Sequence, residues 1–125
     1  MRAISWASCG ASWLLCGAAL MCAQTVDDGI AAFHAGRYAV ARDILAKHSA
    51  SPAGRAFHAM AVAATGSCAA AEPELDTQFQ TNSDASVRRL AGIALTQCQI
   101  ARKDFNSAQR VLARMQADFP KDEDV

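Results

Sequence analysis

Five cysteines, three histidines and one closely spaced pair of glutamates are the side chains from which any chemistry of this 125-residue chain would have to be built. His34, His48 and His58 fall on three separate predicted helices, with no two at metal-ligand spacing, so they read as surface or groove histidines. Glu72 and Glu74 flank Pro73 on what reads as a solvated turn, whereas an acid–base pair needs carboxylates that converge in a cleft. No Walker loop, dinucleotide fingerprint, His-Glu-x-x-His, Gly-x-Ser-x-Gly or Cys-x-x-Cys occurs. The expectation is therefore no catalytic residue, no metal and no cofactor.

The cysteines divide by position. Cys9, Cys16 and Cys22 belong to an N-terminal stretch, Ala3 to Ala23, that follows the single charge of Arg2 and contains no charged residue. A short basic start, an apolar centre and small residues before a polar sequence make residues 1–23 a predicted secretory signal peptide, cut after Ala23. Cys16 follows Leu15 and Cys22 follows Met21, a poor context for lipidation. Left uncleaved, the stretch would be a membrane anchor, although Gly10, Gly17 and three serines make it a weak span. The predicted location is outside the cytoplasm, periplasmic or secreted. There Cys68 and Cys98, which remain after cleavage, meet an oxidising environment, and the sequence leaves open whether they form a disulfide or pack as buried thiols.

Removing Arg2 lowers the basic count from 12 to 11 against 12 acidic residues, a net charge of minus one. Without basic clusters the chain offers no electrostatic footprint for nucleic acid. Residues 24–120 are rich in alanine, and their aromatic side chains are limited to Phe33, Tyr38, Phe57, Phe79, Phe105 and Phe119. No alternating stretch long enough for a strand is present, and alanine favours helices that approach closely, so the predicted class is all-α.

Helix signals divide this region into six segments. Thr25 and Asp28 form a capping-box pattern ahead of a helix over 26–35, which Gly36 ends. A second helix is predicted to His48, and Ser51-Pro52 opens a third that stops before Gly66. The segment 67–80 contains Pro73, which predicts either a kink or a start at Glu72-Pro73. Ser83-Asp84 caps a fifth helix with Val87, Leu90, Ala91, Ala94, Leu95 and Cys98 on its apolar stripe, and Asp104 opens a sixth that Pro120 stops.

The second helix of each pair opens alike: Gly36-x-Tyr38-x-x-Ala41-x-x-x-Leu45, Gly66-x-Cys68-x-x-Ala71-x-x-x-Leu75 and Lys103-x-Phe105-x-x-Ala108-x-x-x-Leu112. The steps of 30 and 37 average close to 34 residues. In this pattern the chain resembles the tetratricopeptide repeat family, over nearly all of 24–120. Cys68 in place of an aromatic, Pro73 and Lys103 in place of glycine depart from the family pattern. The resemblance implies a short solenoid of about three stacked antiparallel hairpins, and a peptide or protein partner on the face made by the first helix of each pair. By register that face would hold Ile30, Phe33 and His34, then Met60, Ala63 and Ala64, then Gln97, Ile100 and Ala101, with Phe33 and Met60 as anchors. It is mostly apolar and lacks the Lys, Arg and Asn with which family members grip acidic C-termini, which favours an apolar or amphipathic ligand.

Residues 121–125 read as a tail or, through Asp122, Glu123 and Asp124, as the first turn of a further helix. The functional expectation is an exported protein–protein interaction module. Its rivals are the docking or regulatory region of a longer enzyme or envelope-assembly protein, and a small structural bundle without a repeat.

Overall fold

The structure, a computed structural model, describes residues 23–120. The predicted leader, apart from Ala23, and the tail at 121–125 lie outside the described residues. Six helices follow in order: α1 (Val26–His34), α2 (Tyr38–Leu45), α3 (Pro52–Ala64), α4 (Cys68–Thr81), α5 (Ala85–Ala101) and α6 (Phe105–Asp118). No strand forms among the described residues. The fold is all-α.

Local chemistry sets most of the helix starts. At α1 the Thr25 side chain accepts from the Asp28 N–H at 3.2 Å while the Thr25 N–H donates to the Asp28 carboxylate at 2.8 Å, a complete capping box. Ser51 caps α3 through the Gly54 N–H, with Pro52 in the first turn where its missing N–H costs nothing. Asp84 accepts from Ser86 and Val87 at the head of α5, and Asp104 from Ser107 at the head of α6. Pro73 lies inside α4, which starts at Cys68 and does not wait for the proline. The carbonyl that loses its donor is that of Ala69, an exposed residue, so the proline orphans no buried acceptor. Glu72 and Glu74 are accordingly helical and not on a turn, and both are paired: Glu72 with Arg102 at 3.0 Å and Glu74 with Arg55 at 3.4 Å.

Two predicted boundaries shift. Helix α2 ends at Leu45, three residues before the expected His48, because the Lys47 and His48 N–H groups bond to Ile44 and Leu45, tightening the last turn. His48 is held in that turn by its ring Nε2, 2.9 Å from the Gln24 carbonyl oxygen. The step of 37 has a simple origin: beyond Leu75, α4 runs to Thr81 and α5 begins at Ala85, so the added residues lengthen two antiparallel helices at the same end.

The three turns inside hairpins are built alike. Gly36 (φ +77°), Gly66 (φ +99°) and Lys103 (φ +66°) occupy the left-handed region at the same place. The next N–H then reaches back five residues: Arg37 to Ala32 at 2.9 Å, Ser67 to Val62 at 3.1 Å and Asp104 to Gln99 at 2.8 Å. Lys103 thus keeps the conformation of the glycine it replaces.

Consecutive helices pack together, and α3 also contacts α1 and α5, so the first helices of the hairpins form one layer while α2, α4 and α6 do not touch one another. Alanine makes the close crossings: Ala41, Ala56, Ala61 and Ala91 have no exposed surface. A Cβ on Gly29 would stand 2.5 Å from Leu45 Cγ, which shows how near α1 comes to α2. Among the expected repeat-core positions Ala41, Leu45, Ala71, Leu75 and Ala108 are buried, but Tyr38 is 38% exposed, Phe105 56% exposed and Leu112 half-buried. The last two lie on the third hairpin, which no later helix among the described residues covers.

Lys103 predicts its own test. A left-handed non-glycine residue costs about 1 kcal/mol, so Lys103→Gly is expected to stabilise the chain by that amount and raise Tm by roughly 4–8 °C. Gly66→Lys in the matching turn is expected to lower it comparably. Thermal unfolding followed by circular dichroism reads both.

Candidate functional site

The layer of first helices holds an apolar cleft of about 200 Å³. Phe33 of α1, Tyr38 of α2, Met60, Ala63 and Ala64 of α3, the disulfide-bonded Cys68 and Cys98, and Leu90, Ile93, Ala94 and Gln97 of α5 line it. No lining side chain is charged, and only the Tyr38 hydroxyl and the Gln97 amide are polar. Two larger depressions, of about 490 and 460 Å³, run along the seam of α4, α5 and α6. They are more open and carry both signs of charge, from Glu72, Asp76, Arg102, Arg110 and Arg114. The apolar cleft is the more enclosed, and burying an uncharged group there meets no desolvation penalty from a lining charge.

The cleft is shaped by aromatic edges. Phe33 sits edge-on between Tyr38 and Phe57, with ring centroids 5.3 Å from each. His34 lies 5.5 Å from Phe57 and 5.7 Å from Phe33, on the exposed outer side. These contacts fix the Phe33 ring as a wall of the cleft.

The expected ligand residues therefore separate. Phe33, Met60 and Gln97 line one cleft, with Ala63 and Ala64 between them. Met60 is only 2% exposed, because α5 packs beside α3 and closes over it, so it is a floor and not the projecting anchor expected from its register. Ile30 packs half-buried against the core, and His34 and Ile100 lie outside the cleft. Leu90, Ile93 and Ala94 were not foreseen as lining residues. The signal was present in the sequence: α5 carries two apolar stripes, Val87-Ala91-Leu95-Cys98, which is buried, and Leu90-Ile93-Ala94 beside it, with the polar Gln97 at its end. A helix with so wide an apolar face has one side left over for a cleft.

Cys68 and Cys98 are joined in a disulfide, with Cα atoms 5.4 Å apart and a sequence separation of 30. The bond ties the first turn of α4 to the end of α5, and so fastens the second hairpin to the third. It also forms part of the cleft wall. None of the histidines joins it there: His48 serves the α2 turn, and His58 is half-buried on α3. Among the described residues no group of three or more His, Cys, Asp or Glu side chains could hold a metal ion, and no helix is long and apolar enough to cross a membrane.

Asp104 has a displaced titration. The hydrogen bond from the Ser107 side chain, the Ser107 backbone N–H and the charges of Arg102 and Arg110 outweigh slight desolvation and hold its carboxyl below 3.8. Three buried polar atoms among the described residues, Glu72 Oε1, Gln99 Oε1 and Arg88 Nε, lack a protein partner, all on the α4 and α5 helices. Comparison with protein-family models, with curated proteins and with solved structures gives no match.

The disulfide closes a loop of 30 residues, which corresponds to roughly 3 to 4 kcal/mol in the chain-entropy account. Reduction, or Cys98→Ala, is therefore expected to lower Tm by more than about 10 °C, with alkylation before reduction leaving Cys68 and Cys98 unlabelled in the native chain. Because the Asp104 carboxyl is lowered on folding, its contribution is complete above pH 3.8 and lost as pH falls through the folded value. Asp104→Asn should flatten the acid limb of the stability–pH curve.

Proposed function

We propose that this chain is an exported helical-repeat interaction module of tetratricopeptide type, whose ligand is a peptide segment that buries one bulky uncharged side chain in the cleft between Phe33, Met60 and Leu90. The observation that carries the reading is the cleft itself: a half-open, charge-free hollow along the layer of first helices. Its volume of about 200 Å³ suits a single phenylalanine- or leucine-sized side chain. Gln97 at the rim supplies an amide donor and acceptor for the peptide backbone beside it. The repeated turns at Gly36, Gly66 and Lys103 and the 30- and 37-residue steps support the family reading, and the apolar N-terminal stretch together with the Cys68–Cys98 bond supports the exported location.

A selection from a random peptide-display library against the native chain tests the proposal. Enriched peptides are expected to share one large uncharged side chain, and Ala64→Trp, which fills the cleft from an exposed position, is expected to weaken their binding at least about tenfold with the helical spectrum unchanged. Peptides without such a residue, or equal binding to the Ala64→Trp variant, would reject the cleft as the ligand site.

A further inference from the structure

The walls of the apolar cleft are of two kinds, and the difference bears on which side chain fills it. Phe33, Tyr38, Met60, Cys68 and Cys98 contribute two aromatic rings, a thioether and a disulfide. The rest of the lining is aliphatic apart from the Gln97 amide. A saturated side chain gains from such a cleft chiefly by leaving water, in proportion to its apolar area. On that ground alone a cyclohexyl group, bulkier and more apolar than a phenyl group, would be the better occupant. Rings and sulfur work in the opposite direction. A neighbouring ring attracts an aromatic group edge to face, and divalent sulfur near a ring edge adds to that attraction.

The packing around the cleft already uses these contacts. Phe33 stands at 63° to Tyr38 and at 74° to Phe57, with centroids 5.3 Å away in both cases. Phe57 does not line the cleft, so only Phe33, half-buried, and Tyr38, 38% exposed, present rings to it. No third ring lies among the lining residues, and an aromatic occupant beside these two would extend the edge-to-face series. Sulfur comes from the floor and the far wall: Met60 on α3, and Cys68 at the register position of Tyr38 with its partner Cys98. Met60 and Cys98 are almost fully buried, but sulfur acts on a ring centred roughly 5 Å away, so they need expose little surface to act. The Tyr38 hydroxyl and the Gln97 amide are the lining groups able to pair with the hydroxyl of a tyrosine or the N–H of a tryptophan.

We propose that the cleft selects an aromatic side chain, with Phe33, Tyr38, Met60 and the Cys68–Cys98 bond as the groups that favour it over an aliphatic one of equal size. This specificity rests on the reading of the cleft as the ligand site, and the experiment separates the failure of one from the failure of the other.

The probes are the N-acetyl methylamides of phenylalanine, cyclohexylalanine and leucine. Each is titrated into the native, disulfide-bonded chain with labelled isoleucine methyl groups. Binding is read by NMR from Ile93, which lines the cleft, with Ile44, buried and outside it, as the internal control. The phenylalanine probe is expected to bind at least about threefold more tightly than the cyclohexylalanine probe, and the leucine probe to be weaker than phenylalanine. Met60→Leu, which nearly conserves volume and is checked for an intact helical spectrum, is expected to cut the phenylalanine preference by about half. Cyclohexylalanine binding as tightly as phenylalanine, or a preference that Met60→Leu leaves unchanged, would overturn the specificity while the cleft remained a ligand site. An Ile93 signal unmoved by all three probes would reject the cleft itself, and the specificity with it.

Discussion

Each hairpin of this chain completes the burial of its apolar side against the hairpin next to it, and the architecture follows from that dependence. A pair of helices of 8 to 17 residues has too little apolar surface to offset the ordering of its own backbone. Stacking doubles what each pair can bury, provided the backbones come close enough for small side chains to meet. Ala41, Ala71 and Ala108 on the second helices and Ala59 and Gly92 on the first supply that closeness. Larger residues at these sites would push helices apart: a Cβ on Gly92 would lie 2.9 Å from both Met115 Sδ and the Phe79 ring. The central helix α3, packed on α1, α2, α4 and α5, consequently has the densest row of buried residues, from Gly54 to Ala61.

A nearest-neighbour stack is weakest at its ends, since an end hairpin has one joint where an inner one has two. Placed between α4 and α5, the disulfide spans the joint that fastens the third hairpin to the second. The first joint has no such bond and uses the Phe33, Tyr38, Phe57 cluster, with His34 at its edge. Cys68 occupies the register position of Tyr38, so one repeat uses a covalent link where another uses ring packing. This same position borders the apolar cleft in both repeats, which couples the integrity of each joint to the shape of the proposed ligand site.

What the sequence disclosed was mostly local. Thr25 with Asp28, Ser51 with Pro52, Asp84 and Asp104 each satisfy N–H groups within three residues, so their roles need no knowledge of distant contacts. Composition carried the all-α class, and spacing the sense of paired helices. Hidden from sequence were effects that depend on a neighbour far along the chain. Helix α2 stops early because His48 turns to the Gln24 carbonyl, 24 residues away. Met60 sinks to the floor of the cleft because α5 covers it, and α5 is longer than either preceding first helix. Lys103 reads as a break in the glycine pattern, yet the hydrogen bonds at Ile100 and Gln99 close the turn and hold it left-handed all the same.

Pro73 shows the same logic from the other side. Proline within a helix disrupts when the lost hydrogen bond belongs to a buried strip, because nothing else can satisfy the carbonyl four residues back. Here the buried face of α4 is Ala71, Leu75, Gln78 and Phe79, while Ala69 and Pro73 share the exposed one. The lost bond faces water, and the helix continues. Its continuation brings Glu72 to Arg102 and Glu74 to Arg55, ion pairs that join α4 to the segments on both of its sides, and carries Cys68 and Phe79 on one rigid element. Had the helix begun at the proline, Cys68 would belong to a loop, and the disulfide would fasten α5 to a flexible segment. The tolerance of one exposed proline is thus what lets the covalent link act on the stack as a whole.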